Sequence, residues 1–390
     1  MNPKAKLRIV FAESILGSAG IGLCVPIMVV FWNGLGMNQA LIGISQMVFT
    51  IAILFADIPM GYIADKYSRK KMNIIGDFGV ALTFIIYAIS GNFWMVVLCE
   101  ILCGITIGMT NGVDRSFVKF YSDKIDGTGE LFKKNNARLT SYQFFGLLLA
   151  VALGMFISKI DLRLVIGAVA LPFIIAGILA CFIDDIGEKA TSSHRNHIKD
   201  MIENVKTILK NQEIKWYIFA YAVANKITHP IIWVFTPLLI IAGVPVWLVG
   251  IGWIMNYVFS TIGTLLARRT LNLKPSTRFI IPMGIATLGM LPIIADVNII
   301  TVWFFVLTGL AQGFPPVSIT PIIQQKTQDK FQTTVISIAA TSARLLYIPL
   351  VSITNWAGNI NPQYTLTATL AIMLPLVMII FAKLKRFEKE

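Results

Sequence analysis

The amino-acid sequence predicts an all-α integral membrane protein with twelve transmembrane helices in two halves of six. Three observations support this fold class. Of the 390 residues, 56% are hydrophobic and only 14% are charged, whereas soluble domains carry about 25% charged residues. The mean hydropathy is +0.73. The apolar residues also occur in blocks of about 20, which is the length of helix that crosses about 30 Å of hydrocarbon.

The apolar blocks define the helices in chain order. We place them near residues 8–32, 40–64, 72–91, 93–113, 138–158, 163–183, 215–241, 245–267, 279–297, 299–322, 333–355 and 364–384. The first block is too long for the apolar region of a signal peptide, so we expect it to remain as a membrane helix. Gly313 is followed by Phe314, Pro315 and Pro316, and this run is expected to break the tenth helix.

The basic residues lie on one side of this arrangement. The net charge is +13, which in a soluble protein would suggest a nucleic-acid partner. Of the 33 Lys and Arg residues, 29 fall in connections on one side of the membrane and only Lys159 and Arg163 on the other. Because cytoplasmic loops are enriched in basic residues, we expect both termini in the cytoplasm and no nucleic-acid binding. Lys-rich and Ile-rich usage and the absence of a targeting peptide suggest a bacterial inner membrane as the location.

The longest polar segment divides the chain. It predicts a bundle at residues 1–183, a cytoplasmic linker at 184–213 and a second bundle at 214–390. Within the linker, Ile198, Ile202, Val205 and Leu209 recur at helical spacing, which is typical of an amphipathic helix on the membrane surface.

The connection between helices two and three carries a motif. It begins at Gly61, includes Asp65 and Lys66, and ends in Arg69, Lys70 and Lys71. This stretch, preceded by Asp57, resembles motif A of the major facilitator superfamily, with Ser68 at a position where the family usually has Gly. The resemblance implies two pseudo-symmetric six-helix bundles that rock around a central site. It also implies a latch formed by Asp57, Gly61, Asp65, Lys66, Arg69, Lys70 and Asp114.

The second half carries a weaker copy of this motif. Gly263 corresponds to Gly61, but Ala267 replaces the acidic residue, as expected of a fold built from two related halves. Helix four departs from the family pattern, because Glu100 stands four residues before Gly104 where the family has Arg.

Four ionisable residues fall inside predicted membrane helices. Each costs about 2.5–3.5 kcal/mol or more at a helix centre, so each requires an explanation. Glu13 and Glu100 are our candidates for proton coupling. Lys226 and Arg344 could tune those acids or hold an anionic part of a substrate. The alternative is that all four form structural ion pairs. Asp57, Asp65, Asp77 and Asp114 are expected near cytoplasmic helix ends, where capping or pairing with the basic residues of motif A explains them.

Further polar and aromatic residues fall on helices that line the cavity in this family. They suggest a site for an amphipathic organic molecule and are Tyr142, Gln143, Asn225, Trp233, Trp253, Tyr257 and Gln312. The four cysteines lie in apolar segments without partner ligands, so we expect no metal site and no cofactor.

The sequence contains no nucleotide-binding loop and no recognisable catalytic set, which favours a transporter over an enzyme. We expect a proton-coupled exporter of a drug, antibiotic or secreted metabolite, working as a monomer. Export is favoured by the stretch before motif A, which resembles drug-exporting members, by the carboxylate Glu13 in the first helix and by the aromatic residues expected at the cavity. Two alternatives stay open: a proton symporter for uptake of a nutrient or siderophore, and a non-transporting membrane sensor or partner-binding subunit.

Overall fold

The computed structural model describes residues 2–66, 68–127, 129–186, 205, 208–327 and 332–389. The side chains at 58, 61, 62, 64–66, 332 and 333 lie outside the described set. Regular secondary structure within these ranges consists of α-helices and three short 3-10 helices. The predicted amphipathic helix of the linker falls mostly on residues 187–204, which the structure does not describe.

The first half of the chain contains nine α-helices among the described residues. They are Pro3–Cys24, Met28–Gly34, Gln39–Lys66, Arg69–Ala88, Phe93–Thr110, Val113–Ile125, Glu130–Ser158, Leu162–Ala168 and Ala170–Ala180.

The second half also contains nine described α-helices. They are Gln212–Lys226, Ile232–Ile241, Val249–Arg269, Pro275–Ala295, Val306–Gln312, Pro315–Ser318, Thr320–Gln325, Gln332–Ala357 and Gln363–Phe387. The 3-10 helices are His229–Ile231, Val246–Leu248 and Thr301–Phe305.

Twelve stretches of the described chain are long and apolar enough to cross a membrane, which confirms the predicted number. We call them spans 1 to 12: Pro3–Cys24, Gln39–Asp57, Arg69–Ala88, Phe93–Ile125, Glu130–Ser158, Leu162–Ala180, Gln212–Ile241, Val246–Arg269, Pro275–Ala295, Thr301–Gln325, Thr334–Ala357 and Gln363–Phe387. Large apolar side chains such as Phe55 and Trp94, which are 74% and 75% exposed, point away from the protein interior. The chain is therefore a multi-pass membrane protein.

Some helix boundaries differ from the prediction. The first apolar block, predicted as one helix over 8–32, is divided near Pro26, because proline cannot donate a backbone hydrogen bond. Span 4 extends to Ile125 instead of residue 113, with a break at Gly112, whose φ of 77° is the left-handed conformation. The predicted break after Gly313 is confirmed, since the helix ending at Gln312 is followed by the separate helix Pro315–Ser318.

The chain forms two compact units. The first contains Met1–Met37, Val48–Thr191 and Val246–Gly250, and the second contains Asn38–Met47, Ser192–Pro245 and Ile251–Glu390. The domain boundaries at 183 and 214 stay a prediction.

Glycines bring spans 1 and 5 close together in the first unit. A Cβ atom at Gly22 would lie 2.6 Å from the carbonyl oxygen of Leu147, and one at Gly146 would lie 2.8 Å from that of Ile15. Small residues at such positions let backbones approach where lipid provides no hydrophobic drive for association. This close approach brings Glu13 and Ser14 on span 1 near Gln143 on span 5.

The second unit uses the same device between spans 8 and 10. A Cβ atom at Gly263 would overlap the carbonyl oxygen of Leu310, and one at Gly309 would lie 2.6 Å from that of Asn256. Gly263 is the residue that the sequence aligns with the glycine of motif A. Its structural role here is backbone contact with span 10.

Candidate functional site

A cavity of about 310 Å³ lies inside the first unit. Spans 1, 3, 4, 5 and 6 all contribute to its wall. Its polar lining is Glu13, Ser14, Ser18, Asn73, Asp77, Thr110, Asp114 and Gln143, and its apolar lining includes Ile21, Leu147 and Phe173. We call it the acidic cavity, because three carboxylates and no basic side chain occur among the described residues that line it.

Glu13 lies on span 1 with only 4% of its surface exposed. The amide of Asn73 on span 3 donates a hydrogen bond to its Oε1 atom. Its Oε2 atom is buried and has no hydrogen-bond partner. A buried carboxylate oxygen without a partner is costly, so this atom is suited to take up a proton or a cation.

Asp77 lies two turns inside the helix of span 3 and is 5% exposed. Its Oδ2 atom is buried without a hydrogen-bond partner. The expectation that Asp77 caps or pairs at a helix end is therefore wrong, because the residue is inside the bundle. Asn73 precedes it by four residues, so both side chains lie on one helix face and reach the same cavity.

Asp114 closes the cavity from span 4. Its Oδ2 atom accepts a hydrogen bond from Ser14 Oγ at 2.6 Å and lies 3.3 Å from Gln143 Nε2. Gln143 Nε2 also lies 2.6 Å from Ser14 Oγ. These three residues join spans 1, 4 and 5 through neutral donors, which leaves the negative charge of the carboxylate uncompensated by any of these contacts.

Glu100 lies at a separate place in the first unit and does not line the acidic cavity. The Tyr87 hydroxyl donates to Glu100 Oε1 at 2.8 Å, and Trp32 Nε1 donates to that hydroxyl at 3.1 Å. All three side chains are buried. The two predicted coupling carboxylates thus occupy different surroundings, one facing a cavity and one held by an aromatic hydrogen-bond chain.

The second unit contains a basic and aromatic cluster. Lys226 Nζ lies 5.6 Å from the ring centroid of Tyr347, and His229 packs against the same ring at 5.2 Å. Trp233 Nε1 donates to Tyr347 Oη at 2.8 Å. Arg344 precedes Tyr347 by three residues on span 11, one helical turn away. Lys226, Trp233 and Arg344, singled out by sequence, thus lie around one tyrosine.

The remaining predicted cavity residues have individual contacts within their own units. Tyr142 packs edge-on against Phe11 at 5.4 Å. Trp253 Nε1 donates to Thr236 Oγ1 at 3.2 Å, and the Trp253 and Tyr257 rings lie 6.2 Å apart. Asn225 is half-buried, and Gln312 Nε2 is buried without a hydrogen-bond partner. These contacts do not bring the set into one site.

Comparison with known proteins adds the family. A model of the Major Facilitator Superfamily matches residues 11–349. The chain belongs to this superfamily. It is therefore a multi-pass membrane protein with the superfamily fold, as the resemblance at motif A implied.

Relatives of this chain include two resistance proteins. It is 31% identical over 109 residues to the tetracycline resistance protein, class H, of Pasteurella multocida, a match that covers 27% of each chain. It is 28% identical over 215 residues to the multi-drug resistance efflux pump PmrA of Streptococcus pneumoniae, covering 53% of this chain and 52% of PmrA. The chain thus matches between about a quarter and about half of the length of these relatives.

The fold is also found among solved structures. The nucleoside transporter NupG superposes on the whole of this chain with a TM-score of 0.76, at 16% sequence identity and with 100% of both chains covered. This likeness concerns the fold alone, because the sequence identity is low.

The superfamily motif is partly visible in the structure. Ser68, which replaces the usual Gly, is the N-cap of span 3, and its Oγ accepts a hydrogen bond from the backbone of Lys71 at 2.9 Å. A serine there stabilises the helix start. Lys70 Nζ donates to the carbonyl of Cys181 at 2.7 Å, and Asp57 lies 3.3 Å from the Asn111 amide.

Other parts of the predicted latch are not visible. The side chains of Gly61, Asp65 and Lys66 lie outside the described residues, and Arg69 begins the helix of span 3. Asp114 points to Ser14 and Gln143 in the acidic cavity. The latch stays a prediction.

Proposed function

We propose that this transporter exports a small amphipathic organic compound in exchange for protons. The observation that carries the proposal is Glu13, a buried carboxylate on span 1 that lines the acidic cavity and whose Oε2 atom has no hydrogen-bond partner. Such a group can bind a proton on one side of the membrane and release it on the other as access alternates. The resistance proteins among the relatives, one of them named as an efflux pump, support the export direction.

Glu100 is the second coupling carboxylate in this proposal. It is buried, and the Tyr87 hydroxyl donates a hydrogen bond to its Oε1 atom. Among the described residues, the hydrogen-bond donor to Glu13 is the amide of Asn73. We assign both residues to proton uptake and release, with Glu13 at the cavity and Glu100 within the bundle.

The same proposal covers location and assembly. The distribution of Lys and Arg favours both termini in the cytoplasm of a bacterial inner membrane, and each polypeptide is expected to work as a monomer.

The alternative function is uptake of an anionic solute together with protons. It is favoured by the cluster in which Lys226 and His229 pack against Tyr347, because the half-buried ammonium group of Lys226 can hold an anion. A membrane sensor that binds without transport is the remaining alternative, and the flux measurement below separates it from the other two.

The test is proton movement in inverted membrane vesicles that contain the full chain. Vesicles are energised to acidify their interior, and a pH-sensitive dye reports proton efflux after addition of amphipathic cations, neutral drugs or anions. We expect at least one compound to drive proton efflux. Glu13→Gln and Glu100→Gln should each abolish the signal, while Asp123→Asn, a change of an exposed acid in the same unit, should leave it intact.

Two outcomes contradict the proposal. If no compound moves protons outward but an anion carries protons in its own direction, the protein is a symporter, and Lys226→Gln should remove that activity. If compounds bind to the purified protein without any flux, the protein is a sensor.

A further inference from the structure

We propose that the acidic cavity of the first unit is a binding site for a small organic ammonium cation. The inference rests on the proposed function and specifies its substrate class, because it assigns a positive charge and a size to the compound that is carried. The site lies wholly within the first unit, among spans 1, 3, 4, 5 and 6.

The charge of the cavity is the first argument. Glu13, Asp77 and Asp114 all face it. The described hydrogen bonds to Glu13 and Asp114 come from the neutral side chains of Asn73, Ser14 and Gln143. A buried carboxylate is stable only when it is paired or neutralised, and these neutral donors do not supply a positive charge. A cation in the cavity would supply it.

Two unpartnered atoms form the second argument. Glu13 Oε2 and Asp77 Oδ2 are buried and have no hydrogen-bond partner, and the two residues are 96% and 95% removed from solvent. They lie on different spans and line the same cavity. An ammonium group offers up to three N–H donors, so one such group can pair with oxygens from both residues.

The size and lining of the cavity favour an organic cation over a metal ion. A cavity volume of about 10–15 Å³ holds one water molecule. The acidic cavity has about 310 Å³, which is room for an organic molecule. Among the described residues, no group of three His, Cys, Asp or Glu side chains is close enough to hold a metal ion. Calcium and similar ions need several oxygens at about 2.3–2.6 Å. The carboxylates here surround a larger space.

The apolar wall supplies the rest of the recognition. Ile21, Leu147 and Phe173 line the cavity together with the carboxylates. An alkyl or aromatic group attached to the ammonium can pack against these side chains, and the face of Phe173 can also attract a cation. The chemistry that fits is a primary amine with a compact apolar group.

The test is calorimetric titration of the purified full-length protein in detergent at neutral pH. The probes are phenethylammonium, the neutral 2-phenylethanol and the anionic 3-phenylpropanoate, which present similar apolar bodies with different charges. We expect phenethylammonium to bind and the other two not to bind. Asp77→Asn and Glu13→Gln should each weaken binding by about tenfold or more, because each removes a charged hydrogen-bond acceptor.

The control variant is Asp123→Asn, which removes an exposed acid from the same unit and should leave the affinity unchanged. Size-exclusion chromatography establishes that each variant remains folded, and Asp77→Glu, which keeps the charge, should bind phenethylammonium more tightly than Asp77→Asn. Equal binding of all three probes, or unchanged affinity in both cavity variants, overturns the proposal.

Two further outcomes also overturn it. If sodium chloride titrated into the protein binds and phenethylammonium does not, the cavity is an inorganic cation site. If no cation binds and the carboxylates only exchange protons, the cavity is a proton site alone.

The ammonium site and the proposed export function can be refuted separately. Proton-coupled export of a neutral drug without phenethylammonium binding would refute the ammonium site and leave the exporter intact. Binding of phenethylammonium that depends on Asp77, without flux of any compound in vesicles, would keep the site and refute the exporter.

Discussion

At the residue scale, Tyr87 links two buried groups in the first unit. Its hydroxyl donates to Glu100 at 2.8 Å and accepts from Trp32 Nε1 at 3.1 Å. Tyr87 is 1% exposed, so water does not replace a hydrogen bond that is lost there. A hydrogen bond to a charged group is worth about 1.5–3 kcal/mol, more than one between neutral groups.

The first prediction is that Tyr87→Phe destabilises the protein by about 1–3 kcal/mol. The variant keeps the ring but leaves one oxygen of Glu100 and the indole N–H of Trp32 with one partner fewer. Unfolding in detergent micelles, followed by tryptophan fluorescence, measures the change. Tyr364→Phe is the matched control, because Tyr364 is 47% exposed, and it should unfold like the wild type. Equal stability of the two variants would falsify this account of Glu100.

The sequence predicted part of the acidic cavity. Glu13 was identifiable because a carboxylate inside an apolar block is unusual. Asp77 was not identifiable in this way. It lies near the start of an apolar block, so the sequence alone did not show how far inside the helix it lies. The helix begins at Arg69, and the structure places Asp77 inside the bundle. The four-residue spacing of Asn73 and Asp77 was the available signal that two polar side chains share one helix face.

At the element scale, glycines determine how closely the spans pack. The second prediction compares two glycines in the second unit. Gly263→Ala should destabilise the protein by about 1–3 kcal/mol, because the added Cβ overlaps the carbonyl oxygen of Leu310 and forces the backbones apart. Gly284→Ala should be neutral or stabilising by about 0.5–1 kcal/mol, because nothing lies within 4 Å of its Cβ position and alanine favours a helix.

The measurement is the midpoint of thermal unfolding in detergent for both variants. If Gly263→Ala unfolds at the wild-type temperature, spans 8 and 10 are not held at the separation described here. A loss of stability in Gly284→Ala would show instead that another group occupies the space beside the Cβ position of residue 284.

Element boundaries were less predictable than element number. Hydropathy found all twelve spans, because each must satisfy its backbone hydrogen bonds within an apolar block. It did not find the extension of span 4 to Ile125, since the helix Val113–Ile125 is polar on one side and continues beyond the apolar block. It also merged the two helices that meet near Pro26, because both are apolar and composition does not mark the turn between them.

The third prediction concerns the contact between the start of span 1 and the segment after span 6. Lys6 donates a hydrogen bond to Asp184 and holds the pKa of that carboxyl below its ordinary value. Since the pKa is lowered in the folded state, the pair stabilises the protein above the unfolded pKa of about 3.9, and this contribution is lost as the pH falls through the folded pKa.

Lys6→Gln should raise the pKa of Asp184 towards its ordinary value. Titration of ¹³C-labelled aspartate carboxyls by NMR measures this shift. Lys4→Gln is the control, because Lys4 is near in sequence and the described contacts connect Lys6, not Lys4, to Asp184. An unchanged Asp184 titration in Lys6→Gln would show that the pair does not persist in the membrane protein.

At the scale of the whole molecule, the distribution of charge follows from the membrane. A net charge of +13 does not require an acidic partner when basic residues are confined to the connections on one side. Each half also repeats the same packing device, a glycine contact between neighbouring spans, at Gly146 in the first unit and Gly263 in the second. The sequence revealed the second as a weak copy of a motif, but only the structure identified what the glycine contacts.

The last prediction is the orientation, with both termini in the cytoplasm. The 5–6 connection, which carries Lys159 and Arg163, should then face outward. Cys181→Ser removes the exposed native thiol, and single thiols are introduced by Ile160→Cys, where the side chain is 77% exposed, and by Asp123→Cys. A membrane-impermeant maleimide should label position 160 in intact cells and position 123 only in inverted vesicles. The reverse labelling pattern would place the basic connections outside the cell, contrary to the enrichment of Lys and Arg in cytoplasmic loops.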